Sequence, residues 1–220
     1  MGSEAQDKRV LVLGGGRFGC LAVQRLGPRV ALVVEPDPSP ELKAMGAPLL
    51  VQDGIAAAAE ILEQEQAPYW LVPALPRHFL VEWLMLSLSD RSPRLAEIPR
   101  ESLPKAAMIH AGRNLEWYLS LADFRCPDDC LEPAGICTHT GLPRGVPMHE
   151  RLAGISLPGY RTRVLRSRQL APGVGGLPRP ELMELRDTLR NSGENGNWII
   201  GTACLCHGVV QALRLGEAAK

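Results

Sequence analysis

Three glycines set between a strand-like run and a helix-like run constrain this chain more than any other feature. Residues 8–13, KRVLVL, form a short apolar run that stops at Gly14-Gly15-Gly16-Arg17-Phe18-Gly19. A run of that length bounded by glycine suits a strand buried on both faces of a parallel sheet. Residues 20–26 carry helical spacing and end at Gly27-Pro28, a stop signal. Residues 29–35, RVALVVE, read as a second buried strand closed by an acid. Strand, Gly14-x-Gly16-x-x-Gly19, helix, and then Glu35 is the order of a dinucleotide fingerprint. Gly14 permits the tight turn, Gly16 lets a pyrophosphate approach the backbone, and Gly19 allows helix and strand to pack closely. The amide end of the helix faces the phosphates, with Arg17 and Phe18 inside the loop as further cofactor contacts. Glu35, 21 residues after Gly14, stands where an acid accepts hydrogen bonds from a ribose. It disfavours a 2′-phosphate, so NAD(H) or an adenine nucleotide is preferred to NADP(H).

The alternation continues with a helix over 40–45, a strand over 48–51, a helix over 53–65, a strand over 69–72 and a helix over 77–88. The pieces VLVLGGGRFG, VALVVEPDP and GAPLLVQDG resemble the nucleotide-binding domain of Trk-type potassium-transport regulators. In that family an acid follows the second strand and a Gly-Asp-like turn follows the third. Here Glu35 and Gln52-Asp53-Gly54 hold those places. The resemblance covers residues 8–75, about a third of the 220-residue chain, and implies NAD or adenine-nucleotide binding through Gly14, Gly16, Gly19 and Glu35.

Five of the six cysteines lie in two clusters of the second half. Cys126, Cys130 and Cys137 are spaced C-x3-C-x6-C, and Cys204-Leu205-Cys206-His207 follows, starting 67 positions after Cys137. Thiolates are soft ligands that select zinc, copper(I) or iron–sulfur clusters. Three close cysteines with a fourth from a distant loop make a four-ligand site, with Cys204, Cys206 or His207 as the fourth ligand. Disulfides or thiol redox chemistry are the competing readings. Cys126-Pro127 and its Pro/Gly-rich surroundings resemble iron–sulfur loops, where proline follows a ligand cysteine. A [4Fe–4S] cluster is therefore the leading reading, with structural zinc as the alternative.

Residues 115–124 and 197–202 read as strands running into Cys126 and Cys204, and residues 207–215 as a final helix. On this reading both clusters leave C-terminal strand ends. In a parallel sheet that is also the edge carrying the glycine turn, and the edge where ligands bind. Residues 163–170 read as a strand followed by a glycine turn, and residues 180–190 as an amphipathic helix with Leu182, Leu185 and Leu189 inward. Cys20, in the first turn of the phosphate-facing helix, is either an activated thiol or a packing residue. His78 and His110 are read as structural, and His139 and His149 lie in or after the cysteine loop. No G-x-S-x-G or H-E-x-x-H motif occurs.

Charge decides little overall, since 24 basic side chains balance 24 acidic ones. That gives no strong electrostatic case for nucleic acid. Residues 1–75 are net −3, whereas residues 141–180 hold seven arginines against Glu150. The arginine-rich segment is read as a solvated edge strand or as a docking face for an acidic redox partner. The longest apolar stretch, 69–88, is broken by prolines and charges, and no signal-peptide core is present, so a cytoplasmic, non-membrane protein is expected. The expected fold is α/β: a Rossmann-like, doubly wound, mainly parallel sheet in residues 1–110. A Cys-rich α/β extension in residues 111–220 packs on the same sheet, and residues 90–104 serve as linker. The function implied is a nucleotide-binding metalloprotein in redox chemistry or redox sensing. The alternative is a non-catalytic nucleotide-sensing module with a four-cysteine zinc site. A homodimer stays open.

Overall fold

The KRVLVL run forms strand β1 (Val10–Leu13), every residue of it buried. The computed structural model describes residues 9–133, 135–193 and 196–216, so Lys8, the expected start of that strand, lies outside the described residues. From there the expected alternation follows as α1 (Arg17–Leu26), β2 (Val30–Val34), α2 (Pro40–Ala44), β3 (Leu49–Leu50), α3 (Gly54–Ile61), β4 (Trp70–Pro73) and α4 (Phe79–Ser87). The short helices start on side-chain caps. The Ser39 hydroxyl accepts the Leu42 N–H at 3.1 Å, and Asp53 Oδ1 accepts those of Ile55 and Ala56 at 2.9 and 3.1 Å. Strand β1 pairs in parallel with β2 and β4, and β2 in parallel with β3.

The second half contributes β5 (Arg94–Ala96), β6 (Met108–Ala111), β7 (Trp117–Ser120), α5 (Met148–Ala153), β8 (Arg161–Arg166), β9 (Arg168–Ala171), β10 (Val174–Pro178), α6 (Arg179–Arg190), β11 (Asn197–Ala203) and β12 (His207–Arg214). The fold is mixed α/β, with six α-helices among the described residues. Its strands form two six-stranded sheets where one was expected: β3-β2-β1-β4-β10-β9, and β6-β7-β12-β11-β8 with β5 also on β12. The extension therefore joins the first sheet only through β10 and β9, which run antiparallel to their neighbours. Ser167 is the crossing point, its N–H bonded to Ala203 O at 2.8 Å just before the chain changes sheet.

Two local readings are corrected. Where residues 207–215 were expected as a helix, His207–Arg214 form a strand, paired antiparallel with β11 from Asn197–Arg214 to Ala203–Gly208. Short apolar runs fit both periods, and here β12 pairs with β5, β7 and β11 with four consecutive residues, Val210–Leu213, buried. The proline-rich 90–104 segment is not a free linker, because Arg94–Ala96 pairs with β12 and Ile98 is buried. Within it the buried Arg91 donates to the carbonyls of Gly216 (2.9 Å), Arg190 and Gly193. A charge this deep is tolerated because each donor finds an acceptor.

One apolar cluster joins the two sheets. Leu11, Leu13 and Leu71 of the first meet Trp198, Ile200 and Leu213 of the second through Trp83 and Leu84 of α4 and the inward leucines of α6, as expected for Leu182, Leu185 and Leu189. At its margin lies His78, fully buried, with Nδ1 3.2 Å from Gln211 Oε1. Burial pushes its pKa from 6.5 down to about 4, against a smaller opposing pull from Gln211. The unfolded chain thus binds a proton below pH 6.5 that the folded chain refuses until about pH 4. Stability on this account is whole above 6.5 and is lost as pH falls across that window, by roughly 3 kcal/mol. Urea titrations from pH 7 to 4 should show this loss in the native chain and a flatter dependence in His78→Leu. Parallel curves for the two proteins would refute it.

Candidate functional site

The glycine turn is built as its spacing requires. Gly14 has φ +98°, and a Cβ there would lie 2.4 Å from Ala74 O. A Cβ on Gly19 would lie 2.0 Å from Gly14 O, so helix α1 can approach the turn only without a side chain. Gly16 differs. It caps α1 with an extended backbone, and a Cβ there would meet nothing within 4 Å. Among the described residues, no atom demands glycine at 16. Glu35 ties the turn together first: its Oε2 accepts the Gly15 N–H at 2.5 Å and its Oε1 that of Asp37 at 3.0 Å. Cys20 packs in the adjoining core, where burial, then Glu41, push its thiol pKa up. It is a packing residue, not an activated thiol.

The cysteine loop lies over the start of α1. The Asp128 carboxylate pairs with Arg17, and the Asp128 carbonyl accepts from Arg25, which also reaches Pro172 O. The expected glycine turn at 171–176 is the β9–β10 hairpin. A Cβ on its Gly173 would strike Asp128 O at 1.9 Å, and its N–H bonds Cys130 O at 3.2 Å. Gln169 Nε2 donates to the same carbonyl at 2.6 Å. Arg17 is thereby engaged by the loop, its guanidinium 5.4 Å over the Phe18 ring, and Phe18 lines the space under the loop.

That space is a cavity of about 570 Å³ lined by all five clustered cysteines. Cys204 and Cys206 reach it from the three-residue turn of the β11–β12 hairpin, closed by Cys204 N–H to His207 O at 2.9 Å. His207 stands between clusters, with Nε2 3.6 Å from Cys126 Sγ and Nδ1 3.8 Å from Cys204 Sγ. Three thiols accept hydrogen bonds from residues just ahead of them. Cys204 Sγ takes the N–H of Cys206 (3.4 Å) and His207 (3.3 Å), and Cys130 Sγ that of Glu132 (3.4 Å). The Thr140 hydroxyl and the N–H groups of Thr140 and His139 lower the Cys137 thiol. Such bonds stabilise sulfur in its anionic, ligating form. Elsewhere burial dominates: it pushes Cys126 and Cys206 up and, joined by Glu132, takes Cys204 to about 12.

All six cysteines are free thiols. Among the described residues, no three His, Cys, Asp or Glu side chains stand as a group able to hold a metal ion. The Arg144 guanidinium lies among the thiols, bonded to Cys206 and 4.0 Å from Cys130. Sequence reasoning missed Arg144, and with it Glu132, which accepts the Leu205 N–H at 2.6 Å. Arg25 and Gln169 were equally hidden, since their partners lie 103 and 39 residues away. Of the other histidines, His139 stacks on Phe124 with centroids 4.2 Å apart, and His149 lies 3.8 Å from Glu150.

A family described as "Uncharacterized protein, C-terminal domain" matches residues 80–216, which include both cysteine clusters and exclude the glycine turn. A protein of Archaeoglobus fulgidus, also described as uncharacterized, is 29% identical over 221 residues, covering 93% of this chain and 98% of its own length. No solved structure matches.

The thiols differ enough for a reactivity order. In the metal-free chain at mildly alkaline pH, iodoacetamide should modify Cys137 first and Cys204 last, followed by peptide mass spectrometry. Equal rates at the two positions would contradict these environments.

Proposed function

The chain belongs to the family described as "Uncharacterized protein, C-terminal domain", matched over residues 80–216, and we propose that it is a nucleotide-binding metalloprotein of redox chemistry or redox sensing. An NAD-type dinucleotide binds at Gly14, Gly16, Gly19 and Glu35, and Cys126, Cys130, Cys137, Cys204 and Cys206 supply the ligands of an adjacent centre. The observation that carries this reading is the convergence of five thiols, from segments 67 positions apart, on one cavity beside the glycine turn.

The donor set is soft and sulfur-rich, which suits zinc or an iron–sulfur cluster. A lone zinc needs its sulfurs within ~2.3 Å of one point. Thiols spread around a cavity of about 570 Å³ better suit a polynuclear [4Fe–4S] centre, which would supply one-electron chemistry. Four of the thiols would ligate, leaving the fifth as an exchangeable neighbour. Loading would require Arg144, bonded to Cys206 and 4.0 Å from Cys130, to move aside. It would also require Cys204, whose thiol burial pushes up to about 12, to give up its proton, so affinity would rise with pH.

The parallel run β3-β2-β1-β4 supports reading the first half as a Rossmann-like, doubly wound unit akin to the nucleotide-binding domain of Trk-type regulators. Residues 111–220 are then its Cys-rich extension. Free thiols suit a cytoplasmic setting, and among the described residues no helix is long and apolar enough to cross a membrane. Arg161, Arg163 and Arg166, exposed on edge strand β8, suit an acidic redox partner.

Two experiments test the two halves of the reading. Anaerobic purification followed by metal analysis should give a brown protein with about four irons per chain, the content of one [4Fe–4S] centre. About one zinc would support the regulatory alternative, and neither metal would overturn the metalloprotein reading. In the nucleotide site, Gly16→Ala should change stability by less than about 1 kcal/mol yet weaken NAD(H) at least about tenfold. Gly19→Ala, with its Cβ in the turn, should destabilise the fold by ~2 kcal/mol. Unchanged NAD(H) affinity in Gly16→Ala would refute the site.

A further inference from the structure

Glu132 stands where its residue type is not expected. Its φ of +47° lies in the left-handed region, which favours glycine and, among residues with a side chain, asparagine and aspartate. A strained residue of this kind persists only where its surroundings hold it, and such residues cluster at functional sites. Glu132 lines the thiol cavity, and its contacts explain both the conformation and the side chain.

On one side, its own N–H donates to Cys130 Sγ at 3.4 Å. On the other, Oε1 reaches 73 positions along the chain to accept the Leu205 N–H at 2.6 Å. Leu205 separates Cys204 from Cys206 and is only 6% exposed, so its N–H needs a partner inside the protein. The N–H groups of Cys206 and His207 are both taken by Cys204 Sγ. The Cys204 thiol in turn hydrogen-bonds the Glu132 carboxylate.

The β11–β12 turn has two other anchors, Met148 N–H on Leu205 O and Leu121 N–H on Cys206 O, both at 2.9 Å. Neither comes from the segment that carries Cys126, Cys130 and Cys137. Arg144 and His207 do link the clusters, but through sulfur. Arg144 bonds Cys206 and lies 4.0 Å from Cys130, and His207 Nε2 lies 3.6 Å from Cys126 Sγ. A metal on the thiols displaces such contacts. Among the described residues, the bond from Leu205 to Glu132 is the one that ties the two clusters together without using a thiol.

We propose that Glu132 is a positioning residue: its carboxylate holds the Cys204–Cys206 turn in register with the Cys126–Cys137 loop, so that thiols of both clusters close on one soft metal centre. The clamp works through the reach of the side chain, not through its charge. That the centre is a metal rests on the proposed function, whereas the clamp between the two segments does not.

Three substitutions in the full, reduced and metal-free chain separate reach from charge. Glu132→Gln keeps an acceptor oxygen at the same distance without the charge. Glu132→Asp keeps the charge but falls one methylene short of Leu205, and Glu132→Gly removes the carboxylate while relaxing the backbone. Aspartate and glycine both tolerate the left-handed region, so the fold is spared. Cadmium(II), a soft thiophilic ion, is the probe, titrated anaerobically against a competing chelator and read by thiolate-to-cadmium charge-transfer absorption. Glu132→Gln should bind it as the native chain does. Glu132→Asp and Glu132→Gly should bind it ~10–100-fold more weakly, the usual cost of losing a partner of this kind. Native affinity in Glu132→Asp or Glu132→Gly, or Glu132→Gln as weak as Glu132→Gly, would overturn the proposal.

Dibromobimane, which bridges only neighbouring thiols, gives a metal-free reading. Links between a Cys126–Cys137 peptide and a Cys204–Cys206 peptide should form in the native chain and in Glu132→Gln, and be lost in Glu132→Asp and Glu132→Gly. Links indifferent to substitution would equally refute the clamp. If the native chain takes no cadmium while the links follow this pattern, the metal reading fails and the clamp stands. If all four proteins bind cadmium alike, the clamp fails and the metal reading stands.

Discussion

Burial of one continuous apolar core between two sheets dictates most of what else this chain does. Leu11, Leu13 and Leu71 on one side and Trp198, Ile200 and Leu213 on the other are dry only if both sheets press on α4 and α6. The chain therefore has to pass from one sheet to the other, at Ser167 and again through α6. Those crossings place the β9–β10 turn beside α1 and bring the β11–β12 hairpin to the same end of the molecule. At about 25 cal/mol per Å² of apolar surface buried, a shared core of this kind strongly outweighs any single polar contact at the site. The site is consequently a product of core packing, with its polar bonds serving as alignment.

Asp128 illustrates that alignment. Its carboxylate and carbonyl are bound by Arg17 and Arg25 of α1, and Gly173 leaves room for it. Exposed ion pairs contribute little stability, commonly ~0–1 kcal/mol, so Arg17–Asp128 acts chiefly by setting where the cysteine loop sits. Cys126 and Cys130 flank that anchor. The loop's geometry is thereby coupled to the first turn of the helix whose N-terminus faces the space over Gly16.

Much of this was legible in the sequence where the signal is local. Gly14 has the left-handed conformation and Gly19 the close approach that their spacing demands, and α2 and α3 start where Ser39 and Asp53 cap them. The inward leucines of α6 follow from their spacing. The final strand was misread as a helix because HGVVQALRL has no clear period once both faces are buried. The second sheet was not legible at all. Pairing of β5, seated in a proline-rich stretch, with β12 depends on residues more than a hundred positions apart, and nothing local records it.

The sequence by itself determined the glycine turn, the alternation of strands and helices in the first half, and the clustering of thiols along the chain. Backbone sterics and short-range capping act within a few residues, and spacing carries them. Tertiary structure alone decided that Cys126, Cys130 and Cys137 share a cavity with Cys204 and Cys206. It also placed Arg144 among them. Those outcomes depend on how two sheets share one core, a sum over contacts distant in the chain that no local pattern encodes.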